Sequence, residues 1–327
     1  MGMVEFGYSL LAEQEGPQQL VSDAKLAEDA GFDFVTLSDH YYPWVEEQGH
    51  SPYAWGVLGA ISQATSRVRL ASLVTCPIRR YHPAVVAQKA ATISLLSGGR
   101  FTLGIGAGEN LNEHVVGDWP SAPQRHEMLV EALEIIRPLL HGETVRFSGV
   151  HFEVPQARLY DPPADGLPIA VAVSGRATAD IAGEYGDAMV ATEPMPQLPQ
   201  YFDEAGGQGK PRYGQLSICY GPDQQQCEKL AYEQFRWSGF GWRVKSELPD
   251  PAAFATASER VRPEDVAASI TCGPDTDKHV AAVREYIDAG FTHVCVAQIG
   301  RDMQEPFLDW ARRELLPALR DEETGHA

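Results

Sequence analysis

Short runs of apolar residues alternate along this chain with longer segments in which apolar positions recur every three or four residues. The long segments predict amphipathic helices. In the first of them, PQQLVSDAKLAEDAGF, the residues Leu20, Ala24 and Ala27 fall on one stripe. The short runs predict strands, and in chain order they are VEFGYSL, FVTLSDH, VRLASLVTC, RFTLGIGAG, LPIAVAVS, AMVAT, GQLSICYG and HVCVAQIG. Strands that are apolar throughout and separated by helices are typical of a parallel sheet covered on both faces.

Eight strand–helix units predict the fold class, an α/β protein built as a closed (β/α)8 TIM barrel with insertions. An open doubly wound sheet usually has fewer strands. One barrel accommodates a chain of 327 residues, so residues 1–327 are expected to form a single domain. Two stretches interrupt the alternation. Residues 143–165 predict an inserted hairpin, and the proline-rich residues 238–265 predict an irregular lid over the barrel mouth.

The charge of the chain narrows the choice of partners. Its formal net charge is -19 and its pI is about 4.9, so the surface repels nucleic acids and anionic membranes. No segment reaches the roughly 18 uninterrupted apolar residues of a membrane span, and the first residues lack the pattern of a signal peptide. The expected partner is therefore a small-molecule substrate.

The cysteines indicate the compartment. Five are present, without a C-x-x-C pair, at Cys76, Cys219, Cys227, Cys272 and Cys295. Scattered thiols in odd number favour a cytoplasmic protein over a disulfide scaffold or a zinc ribbon. The ten histidines show no H-x-x-x-H spacing and no carboxylate cluster at ligand spacing, so no metal site is predicted.

Polar side chains follow the predicted strands at their carboxyl ends, which is the end of a TIM barrel that carries the chemistry. In chain order they are Glu13, then Asp39 and His40, then Thr75 and Cys76, then Glu109 and Asn112, and finally Ser174 and Gly175. Strands that close into a barrel would bring these residues around one pocket. The sequence therefore predicts a site at the barrel mouth.

The stretch TLSDHYYPW brings a carboxylate, an imidazole and aromatic rings to the end of the second strand. His40 can exchange a proton near neutral pH. Trp44, four positions later, can shield the site, stack on a ligand or stabilise a cation. Two interpretations stay open at this point: His40 is a proton-transfer residue, or it only holds a loop by a hydrogen bond.

The stretch GIGAGENLNE places three glycines before Glu109. Its G-x-G-x-G spacing differs from the dinucleotide fingerprint, and no acidic residue ends a second strand at the required distance. We expect instead that Gly104, Gly106 and Gly108 let a flat ligand approach the backbone, with Glu109 at its edge as a proton donor. A glycine-rich turn with a solvated glutamate is the alternative. Cys76 lacks an evident base partner, so a small core residue is expected rather than a nucleophile.

These stretches together resemble the coenzyme F420-dependent oxidoreductases of the luciferase-like superfamily, in particular the branch of the deazaflavin-dependent glucose-6-phosphate dehydrogenases. The matching segments run in the same order along the whole chain: GYSLLAEQ, TLSDHYYPW, VTCPIRRYHPAVVAQ, GIGAGENLNE, AVSGRATADIAGEYGDAMVAT and YIDAGFTHVCVAQIG. The resemblance implies a (β/α)8 barrel, commonly a homodimer, with the deazaflavin lying across the carboxyl ends of the strands.

The resemblance also implies roles for individual residues. His40 is the implied base, Trp44 stabilises it once charged, Glu109 protonates the reduced ring, and Glu13 is an acid near the substrate. A non-proline cis peptide is implied between Leu73 and Val74, against the back of the ring. The implied coenzyme contacts, of which the last two are backbone amides at a phosphate, come from Asp39, Leu73, Val74, Cys76, Gly108, Glu109, Asn112, Ser174 and Gly175.

The chain departs from the sugar-phosphate enzymes at the positions where those enzymes bind phosphate. They carry a Lys after the sixth strand, where this chain has Met195 and, two residues earlier, Glu193; their Arg falls near Ser269. Losing a cation and gaining an anion disfavours a dianionic group. Four basic residues of the lid are available to rebuild an anion site: Arg243, Lys245, Arg260 and Arg262.

The expected function is hydride transfer between coenzyme F420 and an alcohol- or sugar-type CH–OH substrate, with glucose 6-phosphate not the main substrate. The alternative is an FMN-dependent monooxygenase or reductase of the same superfamily.

Overall fold

The computed structural model of the chain describes residues 4–324, and eight parallel strands close into a barrel at its centre. The strands, in chain order, are β1 (Glu5–Leu10), β2 (Phe34–Leu37), β3 (Arg69–Ser72), β4 (Phe101–Ile105), β5 (Val145–Ser148), β6 (Glu153–Ala157), β7 (Ile169–Ala172), β8 (Ala188–Ala191), β9 (Arg212–Cys219), β10 (Thr271–Cys272) and β11 (His293–Gln298). The ring runs β1–β2–β3–β4–β7–β8–β9–β11 and closes where β11 pairs with β1. The predicted (β/α)8 fold is confirmed, and each predicted strand run contributes one strand to the ring.

Alternating side chains of the strands build two layers of core. On β2, Val35 and Leu37 pack outwards in the large cluster shared with the helices, whereas Phe34 belongs to a cluster that fills the barrel interior. This follows from the two-residue period of a strand. Both faces are therefore apolar, which is why all four residues of β2 are buried.

Helices surround the barrel. Their bounds are α1 (Pro17–Ala30), α2 (Ala54–Ala64), α3 (Pro83–Leu96), α4 (Asn110–Glu113), α5 (Ala122–Leu140), α6 (Arg176–Tyr185), α7 (Gln197–Phe202), α8 (Gln224–Phe235), α9 (Trp242–Lys245), α10 (Pro251–Ala257), α11 (Pro263–Ala267), α12 (Thr276–Asp288), α13 (Gln304–Trp310) and α14 (Leu316–Thr324). Helix α1 begins with a proline and ends at Gly31, whose φ of 97° lets its amide reach the last carbonyls. None of the helices in residues 4–324 combines the length and the apolar character that a bilayer crossing requires.

Two insertions leave the barrel pattern. Strands β5 and β6 form an antiparallel hairpin after α5. The region 238–265 is mostly helical, so the expectation of an irregular segment is wrong. Two of its three prolines begin helices instead of breaking them: Pro251 and Pro263 are the first residues of α10 and α11. The Asp250 carboxylate caps α10 by accepting from the amide of Ala253 at 2.8 Å.

The inserted helices pack on the barrel mouth through aromatic side chains. Phe254 of α10, together with Trp237 and Phe240 from the segment before α9, clusters with Trp44 in the loop after β2 and with Leu111 of α4. The insertion thus covers the carboxyl end of the barrel next to the predicted site.

Candidate active site

The predicted site residues lie in loops that follow neighbouring strands. Glu13 follows β1, Asp39 and His40 follow β2, and Glu109 lies between β4 and α4. Because β1, β2, β3 and β4 are adjacent in the ring, their loops meet at one side of the barrel mouth. Ser174 and Gly175 follow β7, the next strand of the ring.

His40 stands between two carboxylates. Its Nε2 lies 3.4 Å from Glu13 Oε1 and 3.7 Å from Glu109 Oε1. Its Nδ1 lies 3.2 Å from the carbonyl oxygen of Tyr42, which can only accept, so Nδ1 carries the hydrogen. In the neutral ring Nε2 therefore holds the lone pair, and it points to the carboxylates. The side chain is 10% exposed.

Glu13 and Trp44 form the wall behind His40. Glu13 Oε1 accepts from Trp44 Nε1 at 3.2 Å, and its Oε2 accepts from the hydroxyl of Ser38 at 2.5 Å. The rings of Trp44 and His40 lie 5.0 Å apart. The Trp44 ring stacks on Trp237 at 4.2 Å and is only 8% exposed, so it shields His40 rather than offering a face to a ligand.

Glu109 is held by the short helix that it precedes. Asn112 donates through its side-chain amide to Glu109 Oε1, and its Oδ1 accepts from the backbone amide of Tyr41 at 2.7 Å. One amide side chain thus fixes the carboxylate and the backbone next to His40. Asn112 is 2% exposed, whereas the Glu109 side chain is 15% exposed and reaches the mouth.

Asp39 faces away from the mouth, although its neighbour His40 faces towards it. Its carboxylate accepts four hydrogen bonds at distances of 2.7–3.3 Å, from Trp55 Nε1, the Thr75 hydroxyl, Arg80 NH2 and the Tyr81 hydroxyl. The residue is 2% exposed. Its carboxylate therefore anchors the His40 loop to the loop after β3.

The peptide between Leu73 and Val74 is cis, as the resemblance implies. Leu73 belongs to the cluster that fills the barrel interior, and the partly exposed Val74 packs against that cluster. The two residues form an apolar floor at the mouth.

The glycines before Glu109 make room for the protein itself. A Cβ at Gly104 would lie 2.0 Å from the carbonyl oxygen of Ser72, and one at Gly106 would lie 3.0 Å from Val74 Cγ2. Gly108 has a φ of 73°, and a Cβ there would lie 2.4 Å from Cys76 Sγ. The expectation that these three glycines open the backbone to a flat ligand is wrong, because neighbouring loop and strand atoms occupy that space.

The Cys76 thiol is buried beside Gly108 and packs with Met128 and Ile78. Burial raises its pKa, and the carboxylates of Glu113 and Glu109 raise it further, so the thiol stays protonated at neutral pH. This agrees with a core residue rather than a nucleophile. Among residues 4–324, the His, Cys, Asp and Glu side chains form no group suited to a metal ion.

Ser174 and Gly175 precede α6 at the far side of the mouth. The Ser174 amide donates to the Thr178 hydroxyl at 3.0 Å, so it is occupied within the protein. A Cβ at Gly175 would meet nothing within 4 Å, which shows open space beside the start of the helix. The first amides of α6 have no partner inside the helix and are the donors available for an anion there.

Sequence analysis did not assign a role to Arg80, Glu113 or Trp237. Arg80 lies in the quoted segment VTCPIRRYHPAVVAQ and Glu113 ends GIGAGENLNE, but charged residues in loops are usually solvated. Here both are buried against the site. Their contacts join segments more than 30 residues apart, and no local pattern signals them.

Comparisons with known proteins agree with the fold. The luciferase-like monooxygenase family model matches residues 3–293. The chain is 35% identical over 333 residues to the F420-dependent glucose-6-phosphate dehydrogenase of Microbacterium testaceum strain StLB037, covering 97% of this chain and 98% of that protein. The enzyme of that name from Nocardia farcinica strain IFM 10152 is 35% identical over 338 residues, covering 98% and 99% of the two chains.

A solved structure of an F420-dependent secondary alcohol dehydrogenase in complex with an F420–acetone adduct superimposes with a TM-score of 0.89 at 29% identity, covering 98% of this chain and all of that one. The coenzyme F420-dependent tetrahydromethanopterin reductase from Methanopyrus kandleri superimposes with a TM-score of 0.78 at 22% identity, covering 97% and 100%, which is a likeness of fold.

Proposed function

The chain belongs to the luciferase-like monooxygenase family, and on that premise we propose that it is an oxidoreductase that transfers a hydride between coenzyme F420 and a CH–OH group. The observation that carries this proposal is the placement of His40, whose free ring nitrogen lies between Glu13 and Glu109 at the barrel mouth. Relatives named as F420-dependent enzymes match along nearly the full length of the chain and favour F420 over FMN.

The residues at the mouth fit such a coenzyme. Leu73 and Val74 offer an apolar floor for a flat ring, and the Glu109 carboxyl is partly exposed at the same barrel mouth. The open start of α6 after Gly175 suits an anionic tail, because helix N-termini attract negative charge. The other predicted coenzyme contacts would support the loops at the mouth rather than touch the coenzyme. They are Asp39, Cys76, Gly108, Asn112 and the Ser174 backbone.

Bound F420 supplies a deazaflavin ring that accepts or donates a hydride. His40 Nε2 accepts the proton of the substrate hydroxyl, and its Nδ1–H bond to Tyr42 keeps that lone pair in place. The resulting imidazolium is stabilised by the Glu13 carboxylate at 3.4 Å and by the Trp44 ring. Glu109, in its protonated form, would supply the proton that the reduced coenzyme takes up. The same groups run the reaction in reverse.

His40→Gln is expected to lower kcat by roughly 100-fold or more, because the amide cannot take up a proton. The dissociation constant of F420, measured by tryptophan fluorescence with FMN as the weakly bound comparison, should stay within about threefold, since the floor and the tail site remain. His151→Gln, in the hairpin, is the matched control and should leave both values unchanged. An unchanged kcat in His40→Gln would contradict the role of His40.

The substrate we propose is an uncharged alcohol rather than a sugar phosphate. Glu193 and Met195 follow β8 and are exposed near the inserted helices. Burial lowers the pKa of Lys245, and the Glu193 carboxylate opposes this shift, so the charge of Lys245 already faces a carboxylate. Arg262 pairs with Asp265 at 2.7 Å, and Arg243 and Arg260 are exposed. Two of the four basic residues of the lid, Lys245 and Arg262, are thus already opposed by carboxylates, which leaves fewer cations for a dianion.

The wild-type enzyme should reduce F420 with secondary alcohols and use glucose 6-phosphate at least about 100-fold less efficiently, because a dianion next to Glu193 costs several kcal/mol. Met195→Lys should raise kcat/KM for glucose 6-phosphate about tenfold, and Met195→Gln, which adds no charge, should not. Initial-rate assays of F420 reduction measure both. Efficient use of glucose 6-phosphate with a micromolar KM would refute this substrate class.

We also propose that two copies of the chain associate through α2 and α3. The most exposed positions of these two helices carry no charged side chain, and Val85, Leu95 and Leu96 are 44–51% exposed. In a chain of net charge -19, an uncharged contact surface keeps the repulsion between two copies low. An uncharged apolar face of two adjacent helices therefore fits a second copy of the chain. The five buried, unpaired thiols fit a cytoplasmic location.

Sedimentation velocity should show a dimer for the wild type and a monomer for Leu95→Glu, because the new carboxylates would be buried close to each other in the interface. Val150→Glu is the matched control: Val150 is an exposed apolar residue of the hairpin, 86% exposed, and its substitution should leave the dimer intact. A monomeric wild type, or a dimeric Leu95→Glu variant, would exclude this interface.

A further inference from the structure

Arg80 is the basic residue that joins the three loops around His40. Its NH2 donates to the carbonyl oxygen of Asp39 at 2.8 Å and to Asp39 Oδ1 at 3.1 Å. Its backbone amide donates to Glu113 Oε2 at 2.6 Å, and its Nε lies 3.4 Å from Glu113 Oε1. The Arg80 side chain is 9% exposed and that of Glu113 is fully buried. Arg80 thus connects the loop after β3 to the loops after β2 and β4.

The two ends of this ion pair lie next to the reacting groups. The Asp39 carbonyl belongs to the peptide that precedes His40, so Arg80 fixes the backbone from which the imidazole projects. Glu113 ends the single turn of α4, and Glu109 is the residue that caps its start. Asn112, between them, donates to Glu109 and accepts from the amides of Tyr41 and Tyr42.

A purely structural role does not explain a fully buried carboxylate at this place. Apolar residues of similar volume usually pack as stably as a buried ion pair. The Arg80 guanidinium lies between the carboxylates of Asp39 and Glu113, and the repulsion of the Glu113 carboxylate by those of Glu109 and Asp39 adds to the desolvation cost. The arrangement is therefore costly for folding, and its contacts lead to both proton-transfer residues of the proposed reaction.

We propose that Arg80 and Glu113 are positioning residues. As one buried ion pair they hold the side chains of His40 and Glu109 in the places from which each transfers its proton. This inference rests on the proposed function. Neither residue is expected to touch substrate or coenzyme.

The charge state of Glu113 supports this role. Burial raises its pKa from 4.5 to about 7, with contributions from Glu109 and Asp39, while the Arg80 amide and guanidinium lower it. The thiol of Cys76 also lies within its electrostatic range. Above pH 7 the pair is ionic, and below it the carboxyl becomes neutral and its attraction to Arg80 weakens. The positioning should therefore be present at high pH and decline as the pH falls through 7.

The test measures kcat, the KM of an alcohol and the dissociation constant of F420 for wild type and Glu113→Gln. At pH 8 the kcat of Glu113→Gln should fall roughly tenfold, as expected for misplaced reacting groups, with F420 binding changed less than about threefold. The ratio of wild-type to variant kcat should approach 1 at pH 5.5, because wild-type Glu113 is then neutral as well.

The second arm repeats the substitution in a Glu109→Gln background. Glu113→Gln should lower kcat clearly less in this background than in the wild type, because the part of its effect that runs through Glu109 is already lost, so the two effects are not additive. Arg80→Lys keeps the charge and loses the planar fork, and it should lower kcat as Glu113→Gln does. If the Glu113→Gln variant does not fold, the kcat of Arg80→Lys tests the inference in its place. The matched control is Asp187→Asn, which breaks the Arg137–Asp187 pair on the outside of the barrel and should leave kcat unchanged.

Three results would overturn this inference and leave the proposed function intact. They are an unchanged kcat in Glu113→Gln and Arg80→Lys, a ratio of wild-type to variant kcat that does not change with pH, and an undiminished effect of Glu113→Gln on kcat in the Glu109→Gln background. A wild-type protein without F420-dependent turnover would instead overturn the proposed function, and this inference with it.

Discussion

The hydrogen bond from His40 Nδ1 to the carbonyl oxygen of Tyr42 determines which ring nitrogen faces the barrel mouth. A carbonyl oxygen cannot donate, so the bond fixes the tautomer and leaves the Nε2 lone pair between Glu13 and Glu109. Every other feature of the site maintains this arrangement. Trp44 covers the ring, Ser38 and Trp44 hold Glu13, and Asn112 holds Glu109.

The barrel fold brings these residues together, because the loops that follow its parallel strands come from distant parts of the chain and meet at one end of the barrel. Asp39 connects several of these segments. Its carboxylate accepts hydrogen bonds from residues of α2 and of the loop after β3, namely Trp55, Thr75, Arg80 and Tyr81. A buried carboxylate with this many donors is rigid in position. The exposed polar groups at the mouth, His40 and Glu109, are thereby separated from the buried groups that hold them.

The sequence predicts the barrel well because each strand is a short apolar run followed by an amphipathic helix, and this pattern is local. The rule that the chemistry of a TIM barrel lies at the carboxyl ends of its strands likewise finds Glu13, His40 and Glu109. The proline content of residues 238–265 predicts an irregular conformation, because proline usually breaks a helix. Pro251 and Pro263 instead occupy the first turns of α10 and α11, where proline is accepted. The role of Gly104 depends on the Ser72 carbonyl of a neighbouring strand. The pair of Arg80 and Glu113 depends on loop contacts that no spacing within one segment encodes.

The most direct test of the account follows a labelled hydrogen. A secondary alcohol that carries deuterium on its carbinol carbon is oxidised by the wild-type enzyme with F420, and the reduced coenzyme is examined by mass spectrometry. Direct hydride transfer, with His40 removing only the hydroxyl proton, predicts one deuterium in the reduced coenzyme. Reduced coenzyme without deuterium would contradict the account, because the hydrogen would then have come from solvent.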